Sequence, residues 1–251
     1  MSGHSKWSTI KRKKGKADAE RGKIFTRLIK EITIAAREGG GDPDGNARLR
    51  TGIAGAKAAN MPARNIESAI KKGTGELPGV TYEENTYEGY GQAGVAILIE
   101  VLTDNKNRTT AEVRHLFGKY GGNMGDNGCV AYLFEPKGVI TVGKHSVEEE
   151  KLFELAIEAG AEDIDTESED VYEIYTAVHD LVQIGANLEE AGITLISQEP
   201  TKIPSTTVMV EEDSARKLLR LLEMIEDHDD VQKVYSNFDI SPETMEKLKS
   251  E

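Results

Sequence analysis

Cysteine and long apolar runs are almost absent from this sequence, and each absence excludes a class of protein. The single cysteine, Cys129, excludes an internal disulfide and a cysteine-rich zinc site. No apolar run approaches the roughly 20 residues of a membrane-spanning helix. The N-terminal residues are basic, but no apolar segment follows them as it would in a secretory signal. We therefore expect a cytoplasmic protein with no membrane partner.

Signals for catalysis are equally scarce. The five histidines stand in unrelated contexts, and Cys129 has no cysteine or histidine beside it in the sequence. The acidic stretch EDHDD, residues 226–230, lacks the glycine and the spacing of a calcium-binding loop and is typical of a helix end and a turn. No nucleophile and base form a recognisable pair. We predict that the protein is not an enzyme and has no catalytic residues, metal site, cofactor or small-molecule substrate.

One short motif resembles a nucleotide-binding fingerprint. The stretch GYGQAG, residues 89–94, matches the pattern G-x-G-x-x-G. In a dinucleotide site, those glycines follow a strand and open a helix, so that the phosphate meets the helix N-terminus. Here they lead into the strand-like run VAILIE, which favours a tight turn between two strands instead.

Charge is distributed unevenly, and this asymmetry is the main functional signal of the sequence. The formal net charge is −13. Residues 1–72 contain 17 Lys and Arg against 7 Asp and Glu, whereas residues 73–251 contain 14 against 37. A cationic N-terminal third joined to an anionic remainder predicts an interaction surface for a polyanion such as nucleic acid.

The predicted contacts to nucleic acid lie in residues 1–72. Residues 1–20 show no apolar periodicity and are predicted to form a basic flexible arm, whose irregularly spaced cations suit phosphate. Trp7 either stacks on an unpaired base or packs on the helices that follow. The arm contributes Lys6, Trp7, Lys11, Arg12, Lys13, Lys14 and Lys16, and the helices contribute Arg21, Lys23, Arg27, Arg48, Arg50, Lys57, Arg64, Lys71 and Lys72.

Residues 21–76 are predicted to form a helical bundle. Apolar residues between positions 24 and 36 recur on one helical face, and the glycines at 39–41 end that helix. The turn DPDGN, residues 42–46, offers cap candidates for a second helix over residues 47–59. Pro62 suits the first turn of a third helix, which ends at Gly73.

Beyond Gly73, the pattern changes to mixed helices and strands. Residues 94–102 are predicted to form a buried strand, residues 109–112 a capping box that starts a helix, and residues 129–134 another strand. Residues 136–203 follow the βαββαβ order of a ferredoxin-like domain. We predict an α+β, multidomain fold in which this domain is inserted into an α+β domain formed by residues 77–135 and 204–251.

Four segments closely resemble the YebC family, whose members are usually called probable transcriptional regulatory proteins. The mitochondrial translational activator of cytochrome oxidase subunit one is a relative of that family. The segments are SGHSKWSTIKRKKGKADAERGKIFTRL (2–28), AKAANMPARNIESAIKKGTGE (56–76), YEGYGQAGVAILIEVLTDNKNRT (87–109) and GGNMGDNGCVAYLFEPKGVI (121–140). Cys129 stands where serine is expected, and Ala63-Arg64 replaces a more usual Lys-Asp. The resemblance implies three domains, a cytoplasmic location, no cofactor and no enzyme activity.

Two functions follow from this reasoning. The family name favours a DNA-binding transcriptional regulator. The sequence shows no helix-turn-helix with a base-reading helix, which favours structured RNA instead. On that alternative, the protein is a ribosome-associated translation factor that binds ribosomal RNA and relieves stalling at proline-rich stretches. The acidic domains would then contact ribosomal proteins. In a DNA-binding regulator, the same domains would contact proteins of the transcription machinery. An enzyme with a site in a cleft between domains is a third and weaker hypothesis.

Overall fold

The computed structural model describes residues 17–249, which fall into two compact units. The first unit consists of residues 17–129 and 212–234, and the second of residues 130–211 and 235–249. The chain therefore passes from one unit to the other three times. The domain boundaries inferred from the sequence stay a prediction.

Three helices open the first unit: α1 (Ala17–Gly39), α2 (Ala47–Ala58) and α3 (Ala63–Gly73). Their facing sides bury an apolar cluster that includes Ile32, Leu49 and Ile66. These are the three helices that the periodicity predicts. Helix α1 begins at Ala17, four residues before its predicted start. Residues 1–16 of the predicted arm lie outside the described residues.

The turn between α1 and α2 is held by one buried side chain. Gly40, after the end of α1, adopts the left-handed conformation with φ of 85°. Asn46 caps α2, because its side-chain oxygen accepts a hydrogen bond from the Leu49 amide at 3.0 Å. Its amide nitrogen donates to the carbonyl oxygens of Ala35 at 2.7 Å and Gly40 at 2.9 Å. The predicted cap in DPDGN is therefore confirmed, and it fixes the end of one helix against the start of the next.

A mixed layer of strands and helices completes the first unit. Its elements are β1 (Glu83–Tyr90), β2 (Ala96–Thr103), α4 (Lys106–Lys119), β3 (Asn123–Met124), α7 (Glu212–Glu226) and β9 (Val231–Ser236), and the sheet order is β3-β1-β2-β9. Strands β1 and β2 pair antiparallel, from Glu83 opposite Thr103 to Tyr90 opposite Ala96. The motif GYGQAG forms the turn between them, as predicted. Strand β2 is buried along almost its whole length, which explains an apolar run that only Glu100, its one partly exposed residue, interrupts.

Two local predictions are wrong. Helix α4 starts at Lys106 instead of Thr109, because the side chain of Asn105 accepts a hydrogen bond from the Arg108 amide at 3.1 Å and caps the helix earlier. The strand predicted for residues 129–134 is instead a 3-10 turn over residues 131–133, and strand pairing begins only at Phe134. In both places, the competing structure is a local hydrogen-bonded turn that periodicity alone does not reveal.

The second unit is built around an antiparallel sheet with helices. It contains β4 (Phe134–Gly143), α5 (Glu149–Ala159), β5 (Asp163–Asp165), β6 (Val171–Thr176), α6 (Leu181–Glu190) and β7 (Leu195–Pro204), and the sheet order is β5-β6-β4-β7. Its core includes Ile140, Leu152 and Ile184. The elements follow the predicted βαββαβ order. Two short parallel strands, β8 (Val208–Met209) and β10 (Phe238–Asp239), and helix α8 (Pro242–Lys249) complete the unit, so the fold is α+β.

Candidate nucleic-acid interface

The sixteen side chains predicted to contact nucleic acid divide first by position. Seven of them lie outside the described residues: Lys6, Trp7, Lys11, Arg12, Lys13, Lys14 and Lys16. The other nine lie on helices α1, α2 and α3. Among these nine, the structure separates cations that pair with the protein's own groups from cations that are exposed.

One face of α1 contacts the acidic stretch at residues 226–230. Lys23, Arg27 and Lys30 are spaced four and three residues apart and therefore share that face. The Lys23 ammonium lies 2.8 Å from a carboxylate oxygen of Asp227. The Arg27 guanidinium donates to the carbonyl oxygen of Glu226. Lys23 and Arg27 thus have protein partners, and their predicted contact with nucleic acid stays a prediction.

The third cation of this face, Lys30, belongs to a buried charge network centred on Asp230. Its ammonium donates to one carboxylate oxygen of Asp230 at 2.6 Å. The other carboxylate oxygen accepts hydrogen bonds from the Arg108 guanidinium at 2.8 Å and the Thr109 hydroxyl at 2.7 Å. Burial raises the pKa of Asp230, but the hydrogen bonds from Lys30, Arg108 and Thr109 outweigh burial and hold that pKa well below its usual range. This network, which joins α1 to the start of α4, was not predicted from the sequence.

Arg48 on α2 is also neutralised within the protein. Its guanidinium forms a two-pronged pair with the Glu31 carboxylate, with nitrogen–oxygen distances of 2.7 and 3.0 Å. It also contacts Glu38 at 2.9 Å and pairs with Glu84. Its pKa is raised above the ordinary value, first by the hydrogen bond to Glu31. These pairs hold α2 against α1, and the predicted contact of Arg48 with nucleic acid stays a prediction.

The remaining cations are exposed. Arg21, Arg50, Lys57, Arg64, Lys71 and Lys72 all have exposed side chains. The Arg50 guanidinium donates to the carbonyl oxygens of Pro43 at 2.9 Å and Asp44 at 3.4 Å, and within residues 17–249 it pairs with no carboxylate. Within residues 17–249, the side chains of Lys57, Arg64, Lys71 and Lys72 form no hydrogen bond or ion pair.

Five of these exposed cations lie on the hairpin of α2 and α3, and we call them the basic hairpin surface: Arg50, Lys57, Arg64, Lys71 and Lys72. Arg50 and Lys57 are seven residues apart on α2, as Arg64 and Lys71 are on α3, so each pair lies on one helical face two turns apart. The short connection at residues 59–62 joins the last turn of α2, which carries Lys57, to the first turn of α3, which carries Arg64. Residues 47–73 contain a single acidic residue, Glu67, so the surface is strongly cationic.

The described residues offer no sign of a metal centre or of a membrane span. Within residues 17–249, no three His, Cys, Asp or Glu side chains come together in an arrangement that could hold a metal ion. Among the same residues, every helix is too short or too polar to pass through a bilayer. Chemically, the prominent feature is therefore the exposed positive charge of the basic hairpin surface.

Comparisons with known proteins agree with the sequence resemblance over nearly the whole chain. Residues 5–76 match the family described as "TACO1/YebC protein N-terminal domain", and residues 82–238 match "TACO1/YebC second and third domain". A protein of Persephonella marina named "Probable transcriptional regulatory protein" is 59% identical over 249 residues, which is 99% of this chain and 100% of that protein. A protein of the same name from Desulfosudis oleivorans is 59% identical over 241 residues, covering 96% of this chain and 98% of that protein.

A solved structure is similar as well. The crystal structure of a conserved hypothetical protein from Aquifex aeolicus superposes with a TM-score of 0.81 at 52% sequence identity. The match covers 89% of this chain and 92% of that one. With the N-terminal, second and third domains of the family matched in order, the chain belongs to the TACO1/YebC family.

Proposed function

We propose that this protein is a non-enzymatic regulator of gene expression that binds nucleic acid, with duplex DNA as its leading target. The basic hairpin surface is the observation that carries this proposal. Its cations are exposed, and no carboxylate in residues 17–249 pairs with them. The relatives named probable transcriptional regulatory proteins support a role in transcription, and a cytoplasmic location is proposed with it.

The chemistry of this surface suits phosphate. Lysine and arginine side chains without internal partners contact the backbone of a nucleic acid, which fixes position but does not read sequence. Residues 1–16 of the predicted arm contribute six further cations that can contact phosphate. If these groups neutralise about six phosphates, the logarithm of the binding constant falls with a slope of about −5 against the logarithm of salt concentration.

The distribution of charge also gives the complex an orientation. Residues 73–251 carry 14 basic and 37 acidic side chains and therefore repel a polyanion. A nucleic acid would approach the N-terminal helices and avoid the rest of the molecule. The acidic remainder is then available to face partner proteins of the transcription or translation machinery.

Ribosomal RNA is the alternative target, because phosphate contacts alone do not separate RNA from DNA. The sequence shows no helix-turn-helix with a base-reading helix, which favours this alternative. On this alternative, the protein is a translation factor that relieves stalling at proline-rich stretches.

Two measurements on the full-length protein separate the targets. Its affinity for random duplex DNA is measured by gel shift, and its association with ribosomes by sedimentation of cell extract through a sucrose gradient. Tight DNA binding without co-sedimentation supports the transcriptional proposal. Co-sedimentation with ribosomes, together with weak DNA binding, contradicts it and supports the alternative. Failure to bind either one overturns the nucleic-acid proposal as a whole.

A further inference from the structure

Helix α2 ends in a backbone turn that two hydrogen bonds hold in place. The amide of Met61 donates to the carbonyl oxygen of Ala56 at 2.9 Å, and the amide of Asn60 donates to that of Lys57 at 2.9 Å. This pair of bonds is the Schellman motif, which closes a helix with one residue in the left-handed conformation. That residue is Asn60, with φ of 59°. Since Met61 is buried in the apolar cluster of the bundle, the turn is anchored to the helices that it joins.

Three other helices among residues 17–249 end in the same way, and each of them uses glycine. The left-handed residues are Gly121 after α4, Gly160 after α5 and Gly192 after α6. In each case, the next amide donates to the carbonyl oxygen five residues earlier, at 2.8 to 2.9 Å. Glycine adopts a positive φ without steric cost, and asparagine is the less frequent residue at this position. Glycine would therefore serve the end of α2 as well, so the backbone alone does not account for the asparagine side chain.

The side chain of Asn60 points to a role outside the fold. It is exposed, and within residues 17–249 it forms no hydrogen bond. It stands in the turn of the basic hairpin surface, three residues after Lys57 and four before Arg64. The carboxamide thus lies in the chain between two exposed cations that are themselves available to phosphate.

A carboxamide has a recognition chemistry that lysine and arginine lack. It presents a donor and an acceptor side by side, and asparagine pairs in this way with N6 and N7 of adenine in the major groove of DNA. The neighbours Pro62 and Ala63 are exposed and short, so a base edge can approach the turn closely. The Schellman motif also fixes the backbone that carries the amide, which reduces the entropy lost on binding.

We propose that Asn60 is the residue of the basic hairpin surface that reads an adenine base in duplex DNA. Its amide nitrogen donates to N7 and its oxygen accepts from the N6 amino group, while Lys57 and Arg64 contact phosphates on either side. This inference rests on the proposed function, because it names the base contact of the same DNA-binding surface. It adds the sequence preference that phosphate contacts do not supply.

Two duplexes that differ only at position 7 of adenine test this contact. One is an alternating A·T duplex, and the other carries 7-deazaadenine, in which a C–H group replaces the N7 acceptor. Fluorescence anisotropy of the labelled duplexes with the full-length protein measures both affinities at one salt concentration. We expect the wild type to bind the unmodified duplex about tenfold more tightly, which lies in the range of one bidentate base contact.

Substitutions at position 60 identify the residue that reads the base. Asn60→Gly keeps the left-handed backbone and removes the amide, so it should bind both duplexes equally and keep the salt slope of the wild type. Asn60→Asp has nearly the same shape but no donor for N7, and it serves as a second variant that should lose the same preference. Asn107→Ala is the matched control, since Asn107 is an exposed amide of α4 without a hydrogen-bond partner within residues 17–249. It should keep the tenfold preference.

Three outcomes would overturn the inference, and they separate it from the proposed function. Tight but equal binding of the two duplexes by the wild type would exclude the base contact and leave the proposed function intact. A preference that persists in Asn60→Gly, with circular dichroism showing a folded protein, would mean that another residue reads the base. Failure of the wild type to bind either duplex would overturn DNA binding and the base contact together.

Discussion

The ammonium group of Lys30 lies 2.6 Å from a carboxylate oxygen of Asp230, and both residues are almost completely buried, with exposed fractions of 6% and 3%. The ammonium also donates to the carbonyl oxygens of Asp229 at 2.9 Å and Leu102 at 3.3 Å, so all three of its protons have acceptors. A buried ion pair repays its loss of hydration only when such additional hydrogen bonds complete it. The pair therefore fixes α1, and the cations carried by the bundle, against β2 and the segment before β9.

Replacing Asp230 by asparagine should lower the free energy of unfolding by about 3 to 5 kcal/mol at pH 7, because it leaves the buried Lys30 ammonium without a counter-charge. The folded-state pKa of Asp230 is lowered, so its contribution is present above the unfolded value of about 3.9 and is lost as pH falls below it. The difference in free energy of unfolding between wild type and Asp230→Asn should thus become smaller below about pH 4. Urea unfolding of both proteins at several pH values measures this difference.

Asp227→Asn is the matched control, since Asp227 pairs with Lys23 near the surface. Both side chains of that pair are substantially exposed, at 36% and 50%, so its loss should change stability by less than about 1 kcal/mol. Equal destabilisation by the two substitutions would contradict the special role assigned to the Asp230 network.

The basic hairpin surface makes a quantitative prediction about salt. The triple variant Arg64→Ala, Lys71→Ala, Lys72→Ala removes three exposed cations that have no described partner. The slope of the logarithm of the binding constant against the logarithm of salt concentration should become less negative by about 2 to 3. Each lost phosphate contact reduces the magnitude of that slope by about 0.9. Fluorescence anisotropy with labelled duplex DNA at several salt concentrations measures the slope.

A second triple variant tests whether binding depends on the position of these cations or only on the net charge of the protein. Arg114→Ala, Lys151→Ala, Lys217→Ala removes one arginine and two lysines that are equally exposed but lie outside α2 and α3. The net charge changes by the same amount, yet the slope should stay within error of wild type. A comparable loss in both triple variants would mean that binding depends on overall charge and that the hairpin is not the interface.

Much of the fold follows from local patterns. The apolar period of α1, the glycines at 39–41 and the cap candidates in residues 42–46 together predict two helices joined by a turn, and the structure has them. The motif GYGQAG could be recognised as a turn because a strand follows it. The start of α4 could not be recognised, because Thr109 and Glu112 form a plausible capping box in sequence. In the structure, Thr109 is buried and donates to Asp230 instead.

The site was less predictable, because the sequence shows the charges but not their partners. Lys30 and Asp230 are separated by 200 residues, and Arg48 meets Glu84 only through the fold. The sequence did contain one usable signal. Lys23, Arg27 and Lys30 share a helical face, and the acidic stretch at residues 226–230 was the densest available partner. Cations in the acid-poor segment 47–73, by contrast, had few carboxylates nearby to neutralise them.

Helix packing in the bundle gives a further prediction. A methyl group at Gly73 would clash with the carbonyl oxygen of Thr33 and would lie 2.8 Å from the Cβ of Ala36. Gly73→Ala should therefore force α3 away from α1 and lower the free energy of unfolding by about 1 to 3 kcal/mol. Gly22→Ala, also in a helix, meets no atom within 4 Å and should raise stability by about 0.5 to 1 kcal/mol. Thermal melts of both variants test whether the two stability changes have these opposite signs. An increase in the stability of Gly73→Ala would contradict the packing of α1 on α3.

Deletion of residues 2–16 tests the predicted arm. The buried cluster of the bundle consists of residues between Ile32 and Ala69, so the deletion should leave the thermal melt nearly unchanged. Binding should nevertheless fall below detection at physiological salt. If the arm supplies half of about six phosphate contacts, the remaining ones leave a salt slope of only about −3 and correspondingly weak binding. Affinity equal to that of the full-length chain would place the entire interface on the helices. Loss of the cooperative melting transition would show instead that residues 2–16 are needed for folding. In that case, unfolding alone would explain the loss of binding.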